Sequence, residues 1–358
     1  MTMTTSPVWH EIDGERVADS LQATREALNG DAGNVSLDFS SVRRIDPGAI
    51  SARGYQPRKA PSKGPNPLDL LPEIGELRLK SMDETGITVQ VLSSSGPGPD
   101  LVPGADGVAM ARETNDHLAA AIARHPDRFA GFATLPMQSP DACPAELSRT
   151  VKELRFLGAL INGTTEGRFL DHPGYDGLLA AAVELDVPIY IHPHLPPEPV
   201  RQAYYSDLLP GAARVLQSAA WGWHSETAIH VLRLVMAGTL DRHPRLKLII
   251  GHMGEMLPVM LQRIDEVSAL DTDHLSRPVS RAILDQVWLT TSGIFSEPPL
   301  LAALLTFGID RIMFSVDYPY SPNSKGRDFL GRLSLAPADM AKFTHRTADA
   351  LLKLNAKD

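Results

Sequence analysis

Short runs of aliphatic and β-branched residues recur along the chain, and segments with the apolar spacing of a helix separate them. Eight runs predict strands: Asn34–Phe39, Ile87–Leu92, Phe129–Leu135, Leu157–Ile161, Val187–His192, Leu246–His252, Val287–Thr290 and Arg311–Val316. Seven segments predict helices: Ala105–His125, Pro140–Glu153, Tyr175–Leu185, Glu226–Leu240, Gly254–Leu270, Pro298–Phe307 and Pro337–Leu354. Alternating strands and helices predict an α/β protein with parallel strands, and eight such units favour a closed (β/α)8 barrel.

Polar residues end three of these strands. His192, His252 and Asp317 follow apolar runs that are otherwise suited to a buried sheet. In a barrel, residues at the C-terminal ends of the strands face one another at one mouth. A buried strand that ends in an imidazole or a carboxylate has a desolvation cost, which a metal ion relieves. Each residue alone could be structural, whereas the three together predict a metal-dependent active site.

Composition and charge narrow the class of protein. The 358 residues carry a net charge of −9, so a basic nucleic-acid-binding surface is not expected. The single cysteine, Cys143, excludes an intramolecular disulfide and favours a reducing compartment. The chain shows neither a signal-peptide pattern nor an apolar run of the roughly 20 residues that a membrane span needs. We therefore expect a cytoplasmic protein without nucleic-acid or membrane partners.

Several longer motifs resemble the decarboxylase branch of the amidohydrolase superfamily. The segments that carry the resemblance are Val187–Pro196, Glu226–Leu234, Asp241–Asp265, Trp288–Phe295 and Asp310–Tyr320. They are most similar to γ-resorcylate, salicylate and 2,3-dihydroxybenzoate decarboxylases. This resemblance implies a metal-dependent TIM barrel over residues 34–358, with residues 1–33 as an N-terminal extension. It also implies one divalent metal ion, zinc or manganese, and a homodimer or homotetramer.

The resemblance also implies roles for individual residues. His192 and Asp317 match metal ligands, and Asp317 is also the candidate proton donor. His252 of the GHMGE motif matches a catalytic histidine, and Glu255 would orient it. Arg263 matches an arginine that in relatives reaches the substrate of a neighbouring subunit.

The N-terminal part departs from the family pattern. The Glu-x-His pair expected on the first strand is absent, and on the best alignment Asp38 takes the Glu position while Ser40 takes the His position. A ligand set of Asp38, His192 and Asp317 follows from this alignment. A second interpretation is that Trp9–Ile50 resembles part of a STAS domain, which would place Asp38 outside the barrel. The sequence leaves both interpretations open.

The function implied by the resemblance is non-oxidative decarboxylation of a hydroxylated aromatic acid, which makes the protein a carbon–carbon lyase. Aromatic side chains in the insertion Leu195–Trp223 can line a flat substrate pocket or serve packing alone; they are Tyr204, Tyr205, Trp221 and Trp223. One alternative is a metal-dependent hydrolase of a lactone or an amide. Another is a catalytically degenerate barrel that only binds a ligand.

Overall fold

The computed structural model describes residues 67–94, 96 and 98–354. The chain divides into two compact units, residues 1–81 and 82–358. The predicted first strand, with Asp38, lies outside the described residues, as do Ser40 and the predicted N-terminal extension. The domain boundary at residue 34 therefore stays a prediction.

Within the described residues the second unit has seven strands, all parallel to their neighbours. They are β1 Gln90–Leu92, β2 Phe129–Gly131, β3 Ala159–Asn162, β4 Ile189–His192, β5 Leu248–Ile250, β6 Val287–Thr290 and β7 Ile312–Met313. β1 pairs with β2, and β3 to β7 pair in chain order. A bridge between Ala133 and Ala159 continues this order from β2 to β3. Every strand overlaps a predicted one, and the order is that of a (β/α)8 barrel.

Within the described residues, two helices precede β1 and at least one helix follows each of the seven strands, so the order alternates as the sequence predicts; fifteen helices are described. The first five are α1 Pro67–Leu70, α2 Glu76–Thr85, α3 Gly104–Ala123, α4 Cys143–Lys152 and α5 Asp176–Leu185. The next five are α6 Glu198–Tyr205, α7 Pro210–Leu216, α8 Gly222–Met236, α9 Thr239–Arg242 and α10 Leu257–Ser268. The last five are α11 Val279–Gln286, α12 Glu297–Phe307, α13 Asn323–Leu330, α14 Pro337–Ala341 and α15 Thr347–Leu352. A π turn at Lys342–Arg346 joins α14 to α15. No helix among the described residues is long and apolar enough to cross a membrane.

Three predicted helix starts are wrong, and two of them lie next to the site; the third is the helix predicted from Pro140, which begins at Cys143. The helix predicted from Glu226 begins at Gly222, so α8 includes the end of the insertion after β4. The helix predicted from Gly254 begins only at Leu257, because the preceding residues have left-handed backbone that cannot continue a helix.

The alternation of side chains along β4 positions the site. Ile189 and Ile191 are completely buried, while Tyr190 packs against an apolar cluster that includes Phe132 and Ile249. Because successive side chains of a strand point to opposite faces, His192 shares the face of Tyr190. His192 therefore stands at the C-terminal end of the strand, above the apolar cluster.

A buried histidine ties α8 to the segment after β3. His230 is 1% exposed, and its Nε2 accepts a hydrogen bond from the backbone N–H of Leu170 at 2.9 Å. Its ring meets Phe169 edge-on, with 5.0 Å between the ring centroids. Burial lowers the pKa of His230 to about 3, so the folded protein holds this ring neutral at physiological pH.

His230 makes the stability of the fold depend on pH. The unfolded chain protonates this histidine below about pH 6.5, whereas the folded chain does so only near its lowered pKa, so acid favours unfolding. Lowering the pH from about 7.5 to about 5 should cost roughly 2 kcal/mol of unfolding free energy through this residue alone. Urea denaturation at both pH values should show that His230→Gln reduces the pH dependence by about this amount. The exposed His345→Gln serves as the control, and an unchanged pH dependence in His230→Gln would contradict the argument.

Candidate active site

The chain after β5 makes a tight left-handed turn. His252, Met253, Gly254, Glu255 and Met256 have φ angles of 46°, 58°, 89°, 52° and 67°. A non-glycine residue in this region costs roughly 1–2 kcal/mol, and such strain clusters at functional sites. The turn brings the Glu255 side chain back onto His252, with 2.7 Å between Oε1 and Nδ1.

Glu255 lies between two imidazole rings. Its carboxylate is 1% exposed, and its Oε2 is 2.5 Å from Nδ1 of His224, which lies in the first turn of α8. Burial alone would raise the pKa of Glu255, but His252 and His224 outweigh this effect and hold its pKa below the ordinary value. An ionised Glu255 accepts from Nδ1–H of His252, which leaves the Nε2 lone pair of His252 available to a substrate.

The same three residues have the spacing of a metal cluster. One ligand atom from each of His224, His252 and Glu255 lies within 4.8 Å of the others. However, the separations of 2.5 and 2.7 Å between the histidine nitrogens and the carboxylate are hydrogen-bond distances. The other ring nitrogen of His224, Nε2, lies 2.9 Å from the carbonyl oxygen of Ala219. These contacts favour a hydrogen-bonded group over a set of metal ligands.

His192 provides the donor that a divalent ion needs. Its Nδ1 is buried and has no hydrogen-bond partner within the described residues. Burial, with a smaller contribution from His252, lowers the pKa of His192 to about 4. A neutral imidazole with an unpaired buried nitrogen fits a metal ligand, because a bound ion would satisfy that nitrogen. The His192 ring lies 6.4 Å between centroids from both His252 and Trp223.

Asp317 follows β7 at a second left-handed position. Its φ is 68°, and its carbonyl accepts a hydrogen bond from the backbone N–H of Ser321 at 2.9 Å. Burial, and then the negative charges of Glu255 and Asp317, raise the pKa of Tyr190 to about 12 despite its hydrogen bonds. A Cβ built on Gly293, next to Ser292, would lie 3.6 Å from the Cβ of Asp317, so Asp317 lies close to the hydroxyl groups that meet Tyr190 of β4.

A network of hydroxyl groups forms the floor of this site. The Tyr190 hydroxyl lies 2.9 Å from Thr290 Oγ1 and 3.0 Å from Ser292 Oγ, and Ser315 Oγ lies 3.1 Å from Ser292 Oγ. Gly251 makes room for it, because a Cβ there would lie 2.8 Å from the Tyr190 oxygen. The network satisfies the hydroxyl groups at the strand ends, because each lies within hydrogen-bond distance of another.

One of the sequence-predicted site residues, Arg263, is not brought to this group. Arg263 lies on α10 with a side chain that is 69% exposed, and its guanidinium is 3.9 Å from Glu266. No hydrogen bond or ion pair within residues 67–354 joins it to His192 or His252. Asp38 lies outside the described residues. The roles assigned to both therefore stay predictions.

The aromatic residues of the insertion lie in different surroundings. The insertion forms α6, α7 and the start of α8. The side chain of Tyr205 is buried, whereas Tyr204 and Trp221 are 72% and 48% exposed. Of these four aromatic residues, only Trp223 contacts the ring of a predicted site residue. The residue directly after the insertion, His224, does reach the site, and sequence reasoning missed it because it precedes the recognisable motif that begins at Glu226.

Comparison with known proteins defines the class of this enzyme. The sequence profile described as "Amidohydrolase" matches residues 32–354. The chain therefore belongs to the amidohydrolase family, which confirms the predicted family and the predicted barrel fold.

Its relatives are decarboxylases. The chain is 40% identical over 301 residues to decarboxylase orsB of Emericella nidulans, covering 82% of this chain and 89% of the relative. It is 38% identical over 302 residues to γ-resorcylate decarboxylase of Rhizobium radiobacter, covering 80% and 89%. A crystal structure of a dihydroxybenzoic acid decarboxylase from Polaromonas sp. JS666, with bound manganese and the inhibitor 2-nitroresorcinol, matches with a TM-score of 0.76 and 34% identity, covering 87% of this chain and 94% of that chain. These relatives confirm the predicted enzyme class, a carboxy-lyase.

Proposed function

We propose that this chain is a metal-dependent decarboxylase that releases the carboxylate of a hydroxylated aromatic acid as carbon dioxide. The observation that carries the proposal is the pairing of buried Glu255 with His252 beside the unpaired buried nitrogen of His192. This geometry offers a metal ligand and an oriented base at one mouth. The aromatic acids named for the relatives supply the substrate class.

His192 and Asp317 would hold one divalent ion, zinc or manganese, and Asp38 would be the third protein ligand. The unpaired Nδ1 of His192 supports this assignment, and the manganese in the Polaromonas relative favours that metal. When bound, the ion would supply a Lewis acid that holds the substrate carboxylate and a neighbouring oxygen.

The protein side chains would move the protons. Asp317, in its acid form, donates a proton to the ring carbon that carries the carboxylate. The bond between that carbon and the carboxylate then breaks, its electron pair restores the aromatic ring, and carbon dioxide leaves. His252 accepts a hydrogen bond from the phenol through Nε2, while Glu255 fixes its Nδ1–H and increases its basicity. Asp317 then regains its proton from water before the next turnover.

Product analysis tests this function. Wild-type protein loaded with manganese and given 2,6-dihydroxybenzoate, 2,3-dihydroxybenzoate or salicylate should release carbon dioxide and the matching phenol in equal amounts from at least one acid. His252→Asn should lower kcat by roughly 10²–10⁴-fold, because proton transfer and orientation are lost. His274→Asn, an exposed histidine on the surface, is the control. Hydrolysis of an aryl lactone without release of carbon dioxide would favour the hydrolase alternative. Binding of the aromatic acid without turnover would favour the alternative of a catalytically degenerate barrel that only binds a ligand.

The surface around Arg263 supports a homodimer or homotetramer. Val259, Arg263 and Val267 recur every four residues on α10, and the two valines are 68% and 54% exposed. Leu301 and Leu305 on α12, the helix that packs against α10, are 56% and 80% exposed. Clustered apolar side chains at a surface favour association with another protein. In an oligomer that uses this face, Arg263 would reach the active site of the neighbouring subunit, where the guanidinium can bind a carboxylate.

Mixed oligomers test whether Arg263 acts across the interface. Arg263→Ala and His252→Asn should each be almost inactive alone. Co-expressed with different tags, they form heterodimers in which one site combines the intact His252 of one chain with the intact Arg263 of the other. Random pairing in a symmetric dimer should therefore restore about a quarter of wild-type activity. If Arg263 serves its own chain, no activity returns, and a fully active monomer would also contradict the proposal.

We also propose a cytoplasmic location. Cys143 is a buried free cysteine, and burial raises the pKa of its thiol to about 12. A free thiol is the usual state of a cysteine in a reducing compartment.

A further inference from the structure

His224 is placed by a tight turn that only glycine permits. A Cβ on Gly222 would lie 2.3 Å from the carbonyl oxygen of Gln217, so a side chain there would push the end of α7 away from the start of α8. The closed turn brings the carbonyl of Ala219 to 2.9 Å from Nε2 of His224. The ring is thereby fixed from the side opposite to Glu255.

Both ring nitrogens of His224 face acceptors. Nε2 faces the Ala219 carbonyl at 2.9 Å, and Nδ1 faces the Glu255 carboxylate at 2.5 Å. A neutral imidazole has only one N–H, so both hydrogen bonds form only when the ring is an imidazolium. Burial alone would lower the pKa of His224, but the hydrogen bond and charge of Glu255 outweigh it and raise the pKa above the ordinary value. His224 and Glu255 thus form a charge-assisted pair.

This pair determines what Glu255 can do for His252. A carboxylate that is 1% exposed is stable as an anion only if it is well compensated. His224 supplies the positive charge beside Oε2 of Glu255. The other carboxylate oxygen, Oε1, is then free to accept the hydrogen bond from Nδ1–H of His252. The ring of His252 then keeps one tautomer, with Nε2 directed to the site.

We propose that His224 is a positioning residue for the reaction, acting through Glu255 to fix the ring and the tautomer of His252. The inference rests on the proposed function in one respect, namely that His252 contacts the substrate. It adds a third member to the His252–Glu255 pair and assigns a role to the end of the insertion after β4. Through Ala219, the conformation of that insertion becomes coupled to the orientation of His252.

A double-mutant cycle tests whether His224 acts through Glu255. His224→Leu should lower kcat by roughly 10–100-fold with a smaller change in KM, the effect typical of removing an outer partner of a site residue. In a Glu255→Gln background the same substitution should change kcat by less than about twofold, because the carboxylate through which His224 acts on His252 is then absent. His224→Gln, which keeps one donor to the carboxylate, should restore part of the loss. If His224→Leu fails to fold, the double-mutant cycle is measured with His224→Gln in its place.

His243 offers a matched control. Its side chain is 14% exposed, as is that of His224, and it also faces a carboxylate, with Nε2 3.5 Å from Asp176. His243→Leu should leave kcat unchanged because that pair is not linked to Glu255. A loss of kcat in His243→Leu equal to that in His224→Leu would indicate a general structural effect and overturn the proposal.

Nitrogen-15 spectra of the imidazole rings in metal-free protein give a readout independent of activity, and of whether the proposed reaction is correct. In the wild type, His252 should show a single tautomer protonated at Nδ1, and His224 should show two protonated nitrogens. His224→Leu should give a mixture of His252 tautomers, with the metal content of separately loaded protein unchanged. An unchanged His252 tautomer, or equal losses of kcat in both backgrounds of the cycle, would overturn the proposal. Loss of the metal in His224→Leu would instead make His224 a ligand.

Discussion

A buried negative charge determines how this site is built. Glu255 is 1% exposed, and an isolated carboxylate at that depth would cost several kcal/mol. Two imidazole rings from different parts of the chain compensate it, one from the turn after β5 and one from the start of α8. The compensation requires both segments to come close, which explains the left-handed backbone after β5 and the glycine at the start of α8. The strain at these positions is therefore part of the cost of placing His252.

The strand ends supply the rest of the site on a rigid frame. Tyr190 and His192 share one face of β4, so the hydroxyl network and the unpaired imidazole nitrogen lie one above the other. The apolar cluster below them excludes water from the barrel interior. A divalent ion held by His192 would thus lie above a polar floor and beside an oriented base. Such an arrangement suits a planar acid with a carboxylate and an adjacent hydroxyl.

The periodic parts of the fold could be predicted from sequence, and the irregular parts could not. Short aliphatic and β-branched runs located the seven described strands, because a parallel strand buried on both faces has a continuous apolar pattern. The ends of those runs pointed to His192 and Asp317. His224 was missed because the predicted helix began at Glu226, whereas α8 begins at Gly222 and so includes it. The left-handed turn after β5 has no period to detect, since Met253 and Glu255 are not residues that favour it.

Metal content is the most direct test of a divalent ion held at the strand ends. Protein purified without chelators and dialysed against manganese is analysed for bound metals, together with His192→Ala, Asp38→Ala and His252→Asn. We expect one divalent ion per chain in the wild type and in His252→Asn, and loss of that ion in the other two variants. A wild-type protein without bound metal, or an ion retained in His192→Ala and lost in His252→Asn, would contradict this expectation. Retention of the ion in Asp38→Ala alone would move the third ligand elsewhere and leave the site at the strand ends intact.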